Sequence, residues 1–337
     1  MIYPNFLKEK DTIGVPAPSK GANDELKINR IKNAVKRVKS LGYNVELSKN
    51  AFKNNIGRSA SKEERAKEFN EMLNDKNINM IIALSGGEFL VEMLPYVNFD
   101  FVKESPKYVC GFSDPTGLLF PITTKYDVAT IYGSNFSSLG AEQLLQNDKD
   151  FLDIIKGNLV TENSSKLYEE VPKEKVTGLE CSNLTEKVYW KTLDNKEVNI
   201  KGRIIGGCFD IISELAGTKY DGTKDFNEKY KDDGVIWYFD NCELSMEETI
   251  RTLWKLNELE YFKYTKCIIF GRFGSTKTHF DYDVKSCIED SVISNLGIKI
   301  IYDADISHKA PCLTIINGSL ATIKVKNGKG SICFELK

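Results

Sequence analysis

The sequence predicts an α/β protein in which an N-terminal doubly wound, mostly parallel sheet domain is followed by a C-terminal mixed α/β domain rich in strands. Three observations predict this class. In the first third of the chain, short apolar runs alternate with segments of helical period, which is the order of a parallel sheet covered by helices on both faces. A polar stretch then separates this part from further strands that end in alternating patterns, typical of a sheet with one solvated face. The length of 337 residues also exceeds what one hydrophobic core usually holds.

The N-terminal α/β domain, residues 1–142, carries the clearest periodic signals. Apolar residues recur with a helical period from Leu26 to Leu41, and a second helix is expected after Ser61, which is spaced to form a capping box with Glu64. Continuous apolar runs from Ile78 to Leu84 and from Lys107 to Phe112 predict strands that are buried on both faces. The remaining elements expected here are a short strand within 11–19, a helix from 115 and a strand over 126–133.

Residues 143–200 turn polar and are interpreted as a connection and an insert with short strands, while residues 201–337 are expected to form the C-terminal α/β domain. Within that domain, helices are expected over 207–216 and 245–256. The expected strands cover 234–239, 267–273, 298–304, 312–318, 320–326 and 331–336.

The composition excludes several classes of partner. The formal charge is −2 at pH 7, with lysines and acids interleaved, which predicts no binding to nucleic acid or to an anionic membrane. No stretch approaches the ~20 apolar residues of a membrane span and the N-terminal sequence lacks a secretory pattern, so a cytoplasmic protein is expected. The eight cysteines contain no C-x-x-C pair and there are two histidines, so neither a zinc site nor a disulfide framework is expected. A small molecule that is uncharged on balance therefore fits better as the partner.

Ser113 is the first candidate catalytic residue. It lies in GFSDPT, where an apolar strand gives way to a helix and Gly111 stands two residues earlier. A serine at such a turn can be an exposed nucleophile, and the N–H of the next residue, Asp114, can point toward a developing oxyanion. Pro115 replaces the second glycine of the usual G-x-S-x-G pattern. Ser113 is therefore either a nucleophile or the cap of the helix that begins near Pro115.

Two pairs of glycines follow predicted strands. Gly86 and Gly87 come directly after Ser85 at the end of a buried strand, where their N–H groups could bind an oxyanion. An ordinary tight turn explains the same pattern. The second pair, at 206–207 in GRIIGGCF, is interpreted as close packing before a helix.

His308 is the candidate general base. It follows a strand and a turn, in the kind of loop that carries catalytic groups on a rigid frame, whereas His279 lies in a polar loop that is expected to be exposed. Asp240 ends the apolar run VIWYFD and could hold the imidazole in one tautomer. The alternatives are a surface or core histidine at 308 and a turn or N-cap aspartate at 240.

Six sequence blocks carry a resemblance when taken together. They are the SGG turn at 85–87, GFSDPTGLL, GRIIGGCFDIISELAGTKY, WYFDNCELS, IIFGRF and DISHKAPCLTIINGS. In order and spacing they resemble the LD-carboxypeptidase family of serine peptidases, which includes the muramoyltetrapeptide carboxypeptidases and the microcin C immunity peptidases. The resemblance runs from about Asp11 to Ala321, nearly the whole chain.

This resemblance implies that Ser113 is the nucleophile, His308 the base and Asp240 the acid of a catalytic triad. The family's acid is usually glutamate, and aspartate is one methylene shorter, so the nearby Glu243 stays open as a substitute. The resemblance also implies a cytoplasmic homodimer that needs no metal or other cofactor.

The function expected from the resemblance is a serine carboxypeptidase that hydrolyses an L,D amide bond and releases terminal D-alanine from muropeptides. The alternative is a microcin C immunity peptidase that cleaves aminoacyl-nucleotide analogues, for which Trp190 is the candidate aromatic partner of the base. A weakened homologue that binds ligand without turnover is a third interpretation. A cysteine hydrolase using Cys110 is a fourth, although Cys110 is expected to be buried within its strand.

Overall fold

The computed structural model describes all residues from Met1 to Lys337, and they form two compact units. The first unit comprises Met1–Val160, Val171–Asn183 and Thr314–Asn317. The second unit comprises Thr161–Glu170, Leu184–Leu313 and Gly318–Lys337. The polar residues 143–200 are therefore divided between the two units.

Helices and strands alternate along most of the chain. The α-helices are α1 (Glu25–Ser40), α2 (Lys62–Asn74), α3 (Phe101–Glu104), α4 (Thr116–Tyr126), α5 (Gln146–Ile154), α6 (Phe209–Leu215), α7 (Thr223–Lys229), α8 (Met246–Glu258) and α9 (Val284–Glu289). Short 3₁₀ helices cover Leu90–Tyr96, Phe136–Gly140 and Val292–Asn295. The strands are β1 (Thr12–Val15), β2 (Asn44–Leu47), β3 (Ile78–Ile82), β4 (Tyr108–Gly111), β5 (Thr130–Tyr132), β6 (Glu162–Asn163), β7 (Leu167–Tyr168), β8 (Glu186–Lys187), β9 (Lys191–Thr192), β10 (Val198–Cys208), β11 (Val235–Asp240), β12 (Thr265–Gly271), β13 (Lys299–Ala304), β14 (Ile315–Asn317), β15 (Leu320–Lys326) and β16 (Lys329–Glu335). Not one of the helices combines the length and the apolar character that a membrane crossing requires.

The first unit is built on a six-stranded sheet of order β14-β5-β4-β3-β1-β2. Strands β1 to β5 are parallel, and their order 2-1-3-4-5 is that of a doubly wound sheet with its switch point between β1 and β3. Strands β3 and β4 are buried except at Asn79, as expected for parallel strands covered on both faces. The predicted doubly wound domain is confirmed.

Side-chain caps place the first two helices where the sequence predicts them. The Asp24 carboxylate accepts a hydrogen bond of 2.9 Å from Lys27 N at the start of α1. At α2, Ser61 Oγ accepts from Glu64 N and the Glu64 carboxylate accepts from Ser61 N, which is a complete capping box. Both predicted helices are confirmed, and a capping side chain next to each helix fixes the residue at which it begins.

The second unit is built on an eight-stranded sheet of order β6-β16-β15-β10-β11-β12-β13-β9. Its four central strands, β10 to β13, are parallel, and the flanking strands are antiparallel. Burial alternates along β15 and β16, which confirms the predicted sheet with one partly solvated face. The mixed, strand-rich architecture is thus as predicted.

One strand belongs to a different sheet from the one expected. The sequence predicts the apolar run at 312–318 as a strand of the C-terminal domain, but β14 pairs antiparallel with β5 and forms an edge of the first sheet. All three residues of β14 are buried. An apolar run of this length specifies burial and not the identity of the neighbouring strand, so the sequence pattern could not assign it.

Candidate active site

Ser113 lies on a tight turn that joins β4 to α4. Its φ is 71°, in the left-handed region that non-glycine residues rarely occupy. The turn is held by a hydrogen bond of 2.8 Å from Thr116 N to Ser113 O. A Cβ at Gly111 would lie 2.5 Å from the Cβ of Pro115, so the chain needs glycine two residues before the serine. These contacts fix a strained serine at the carboxyl end of the sheet.

The structure does not support Ser113 as a helix cap. Pro115 occupies the N-cap position of α4, and no side chain caps that helix. The strained backbone of Ser113 therefore needs another explanation, and strain of this kind clusters at functional sites.

The turn at Gly86 and Gly87 lies against Ser113. A Cβ built on Gly86 would be 3.2 Å from the Ser113 Cβ, and one on Gly87 would be 2.7 Å from the Ser19 Cβ. The backbone N–H groups of Gly86, Gly87 and Asp114 donate to no acceptor within the protein. Unpaired N–H groups beside a strained serine are the arrangement that stabilises an oxyanion.

The Asp114 side chain connects these two turns, which the sequence did not reveal. The carboxylate is 1% exposed, and its Oδ2 accepts a hydrogen bond of 3.2 Å from Leu90 N, just beyond the glycine turn. Burial raises the pKa of Asp114 to about 6. A single residue therefore offers its main-chain N–H beside Ser113 and anchors the neighbouring loop with its side chain.

In the second unit, Asp240 and His308 form a close pair. Asp240 is the last residue of β11 and is completely buried, and its Oδ1 lies 2.9 Å from His308 Nδ1. The same oxygen accepts a hydrogen bond of 3.1 Å from His308 N. Burial lowers the pKa of His308, but the charge and hydrogen bond of Asp240, with the thiol of Cys242, outweigh it and raise the pKa well above 6.5.

Glu243 does not take the place of Asp240 in this pair. Its side chain is exposed, and its main-chain N donates to Asp210 Oδ1 at 2.9 Å. Asp210 also accepts hydrogen bonds from the N–H groups of Cys242 and Leu244, so it holds the loop that follows β11. Asp210 was missed from the sequence because nothing local shows which loop a carboxylate at the start of α6 will reach.

A buried ion pair fixes the loop that carries His308. Arg272 Nη1 lies 2.5 Å from Asp305 Oδ1, and Arg272 Nη2 donates to the carbonyl oxygens of Lys309 and Pro311. Because the guanidinium binds the chain on both sides of His308, the imidazole is supported by a rigid frame.

The remaining candidate residues have structural and not catalytic surroundings. Cys110 is completely buried, as predicted, and burial raises the pKa of its thiol, so it is not a nucleophile. The prediction that Trp190 stacks on a base is wrong, because Trp190 is 1% exposed and its Nε1 donates to Asp305 Oδ2 at 2.9 Å.

His279 is exposed, as expected. A Cβ on Gly206 would lie 1.9 Å from Tyr238 O, which confirms close packing of β10 against β11. No group of three or more histidine, cysteine or acidic side chains is arranged to hold a metal ion.

The fold and these residue groups define a two-unit α/β protein with a strained serine in one unit and a carboxylate–histidine pair in the other. The model of the LD-carboxypeptidase N-terminal domain matches residues 13–133. The model of the LD-carboxypeptidase C-terminal domain matches residues 201–323. The chain therefore belongs to the LD-carboxypeptidase family.

Two curated relatives are similar over nearly their whole length. A Vibrio cholerae protein provisionally named a carboxypeptidase is 25% identical over 97% of this chain and 96% of its own. The microcin C7 self-immunity protein MccF of Escherichia coli is 26% identical over 96% of this chain and 93% of its own.

Solved structures share the fold. An MccF-like protein from Bacillus anthracis is 27% identical, with a TM-score of 0.82 over all of both chains. MccF in complex with aspartyl sulfamoyl adenosine is 23% identical, with a TM-score of 0.80 over all of both chains. A muramoyltetrapeptide carboxypeptidase from Oxalobacter formigenes is 19% identical, with a TM-score of 0.74 over 96% of this chain and 98% of its own. At these identities the last two show a common fold alone.

Proposed function

We propose that the chain is a serine carboxypeptidase that hydrolyses an L,D amide bond and releases D-alanine from the end of a muropeptide. The observation that carries this proposal is the strained Ser113, which lies beside the unpaired N–H groups of Gly86, Gly87 and Asp114. The substrate class is supported by the LD-carboxypeptidase family, whose N- and C-terminal domain models both match the chain. The implied setting is a cytoplasmic homodimer.

In the proposed mechanism Ser113 Oγ attacks the carbonyl carbon of the scissile bond. His308 accepts the serine proton on Nε2, because Nδ1 is hydrogen-bonded to Asp240, and returns it to the leaving amine. Asp240 holds the tautomer and stabilises the imidazolium that forms. The N–H groups of Gly87 and Asp114 bind the oxyanion, and water then releases the acyl group from Ser113.

The test is a release assay with a tetrapeptide that ends in L-diaminopimelate–D-alanine. The wild-type chain should release D-alanine, and Ser113→Ala should lower the rate to background. Turnover that survives in Ser113→Ala would exclude Ser113 as the nucleophile. A wild-type chain that binds the tetrapeptide without releasing D-alanine would instead support the weakened, ligand-binding homologue.

A second candidate function is the cleavage of aminoacyl-nucleotide analogues. It is favoured by the similarity to MccF, which covers 96% of this chain. The same assay, run in parallel with an aminoacyl phosphoramidate nucleotide, separates the two candidates. Cleavage of the nucleotide with no release of D-alanine would replace the first proposal by the second.

A further inference from the structure

A cavity of about 420 Å³ lies in the first unit beside the turn that contacts Ser113. Its walls come from the loop after β1, the first two turns of α1, Ser85 after β3, and the segments around Ser137 and Lys175. In the order β2-β1-β3, the loops after β1 and β3 diverge at the switch point of the sheet. Ligands of open α/β sheets bind at this point, outside the carboxyl ends of the strands.

The lining of the cavity is strongly cationic. Lys20, Lys27, Arg30 and Lys175 line it together with a single acidic residue, Asp24. Asp24 pairs with Lys27 at 2.7 Å, whereas Lys20, Arg30 and Lys175 form no ion pair. The ammonium groups of Lys20 and Lys175, which form no ion pair, can attract an anion to this concave surface.

Arg30 holds the walls of the cavity in place. It donates hydrogen bonds of 2.9 to 3.2 Å to the carbonyl oxygens of Ser137, Gly178 and Glu180. The hydroxyls of Ser137 and Ser138 line the same space and have no hydrogen-bond partner in the protein. The cavity therefore offers a preformed set of ammonium and hydroxyl donors.

Ser85 connects the cavity with the proposed nucleophile. It lines the cavity, its Oγ donates to Lys20 O at 2.7 Å, and the next residue, Gly86, lies against Ser113. Ser85 and Gly86 are neighbours in the chain, so the cavity begins one residue away from the turn that contacts Ser113.

We propose that this cavity binds an anionic group of the substrate, a carboxylate or a phosphate, remote from the scissile bond. The proposal rests on the proposed hydrolytic function of Ser113. A muropeptide would supply a carboxylate and an aminoacyl nucleotide a phosphate. The cavity then selects acidic substrates through KM, since it contacts none of the reacting atoms.

The test replaces Lys20 and Lys175 together by glutamine. Its matched control replaces Lys32 and Lys36, exposed lysines of α1 outside the cavity, by glutamine. Three ligands are compared: the tetrapeptide, the same peptide with the carboxylates remote from the scissile bond amidated, and the aminoacyl phosphoramidate nucleotide. KM for the anionic ligand that is cleaved should rise about tenfold in the cavity variant, with kcat unchanged. Lys20→Arg with Lys175→Arg should restore KM, and added salt should reduce the effect.

Binding to Ser113→Ala, measured by calorimetry, separates the two proposals. If wild-type chain releases no product but the lysine variant binds the anionic ligand more weakly, the cavity stands and the hydrolase proposal fails. If product is released and KM is equal in both lysine variants, the cavity proposal is overturned. An equal loss for the amidated peptide, or no binding of any of the three ligands, also overturns it.

Discussion

Replacing Asp240 by asparagine removes the charge beside His308 at nearly constant volume. In the structure one oxygen of this fully buried carboxylate accepts from His308 N at 3.1 Å and pairs with His308 Nδ1 at 2.9 Å. An asparagine can turn its N–H₂ toward Nδ1, which leaves the imidazole proton on Nε2. In that tautomer His308 cannot accept the proton of Ser113.

The expected loss in kcat is about 10³- to 10⁴-fold, because the corresponding change in a serine–histidine–aspartate triad costs about 10⁴-fold. A factor of 10⁴ corresponds to about 5.4 kcal/mol at 1.36 kcal/mol per tenfold. The full effect is expected here since both hydrogen bonds of His308 converge on one carboxylate and the Glu243 side chain is exposed. KM should change little, because Asp240 touches no substrate in the proposed mechanism.

The assay is D-alanine release at saturating tetrapeptide, with thermal unfolding to verify that the variant is folded. Glu243→Gln is the matched control, since it removes a carboxylate from the same loop, and it should keep wild-type kcat. The reasoning is refuted if Asp240→Asn keeps more than about a tenth of wild-type kcat, or if Glu243→Gln is the variant that loses activity.

The other predictions concern pH, the glycine turn and two buried side chains. The acid limb of kcat/KM should be centred above pH 6.5, because His308 must be neutral to accept a proton and its pKa is raised; a limb centred lower contradicts this. Gly86→Ala places a methyl group 3.2 Å from the Ser113 Cβ and should lower kcat roughly 10²-fold without raising KM, as steady-state kinetics will show. Cys110→Ala should keep kcat and lower the free energy of unfolding by about 1 kcal/mol in denaturant titrations; lost activity would argue against Ser113 as nucleophile. Burial raises the pKa of Asp114 from 3.8 to about 6, so the folded state binds this proton more tightly than the unfolded state does. The contribution of Asp114 to the free energy of unfolding should therefore fall by up to ~3 kcal/mol as the pH rises from about 4 to about 6. Asp114→Asn should remove that slope, and an unchanged slope would show that Asp114 is not its source.

The sequence predicts those parts of the fold that depend on neighbouring residues. The start of α2 is encoded by Ser61 and Glu64, and the burial of β3 by its unbroken apolar run. The residues next to β14 in the sequence do not determine its partner strand, because a short buried strand fits any open sheet edge that is apolar on both sides. β14 pairs with β5, which is distant in the sequence, and the hydrophobic periodicity of β14 does not predict that pairing.

The candidate site shows the same limit. The strand-to-helix turn at Ser113 is visible in the sequence as a glycine, a serine and a proline at fixed spacing. The anchors of the site are not, since Asp210 holds a loop 32 to 34 residues away and Arg272 binds carbonyl groups 37 to 39 residues away. Trp190 was the candidate aromatic partner of a nucleotide base, but it is buried against Asp305. The residues around Trp190 in the sequence do not reveal its burial, because the carboxylate that accepts its hydrogen bond lies far away along the chain.

Asp240 stands where the resemblance to the family predicts a glutamate, and the structure shows that its shorter side chain reaches His308. His308 binds this carboxylate with its backbone as well as its ring, since His308 N and Nδ1 both contact the same carboxylate oxygen. That position is held by Arg272, which pairs with Asp305 before the histidine and binds the carbonyl group of Lys309 after it. A glutamate at 240 should therefore overfill a fully buried position, at a cost of about 1–3 kcal/mol, and push the imidazole of His308 away.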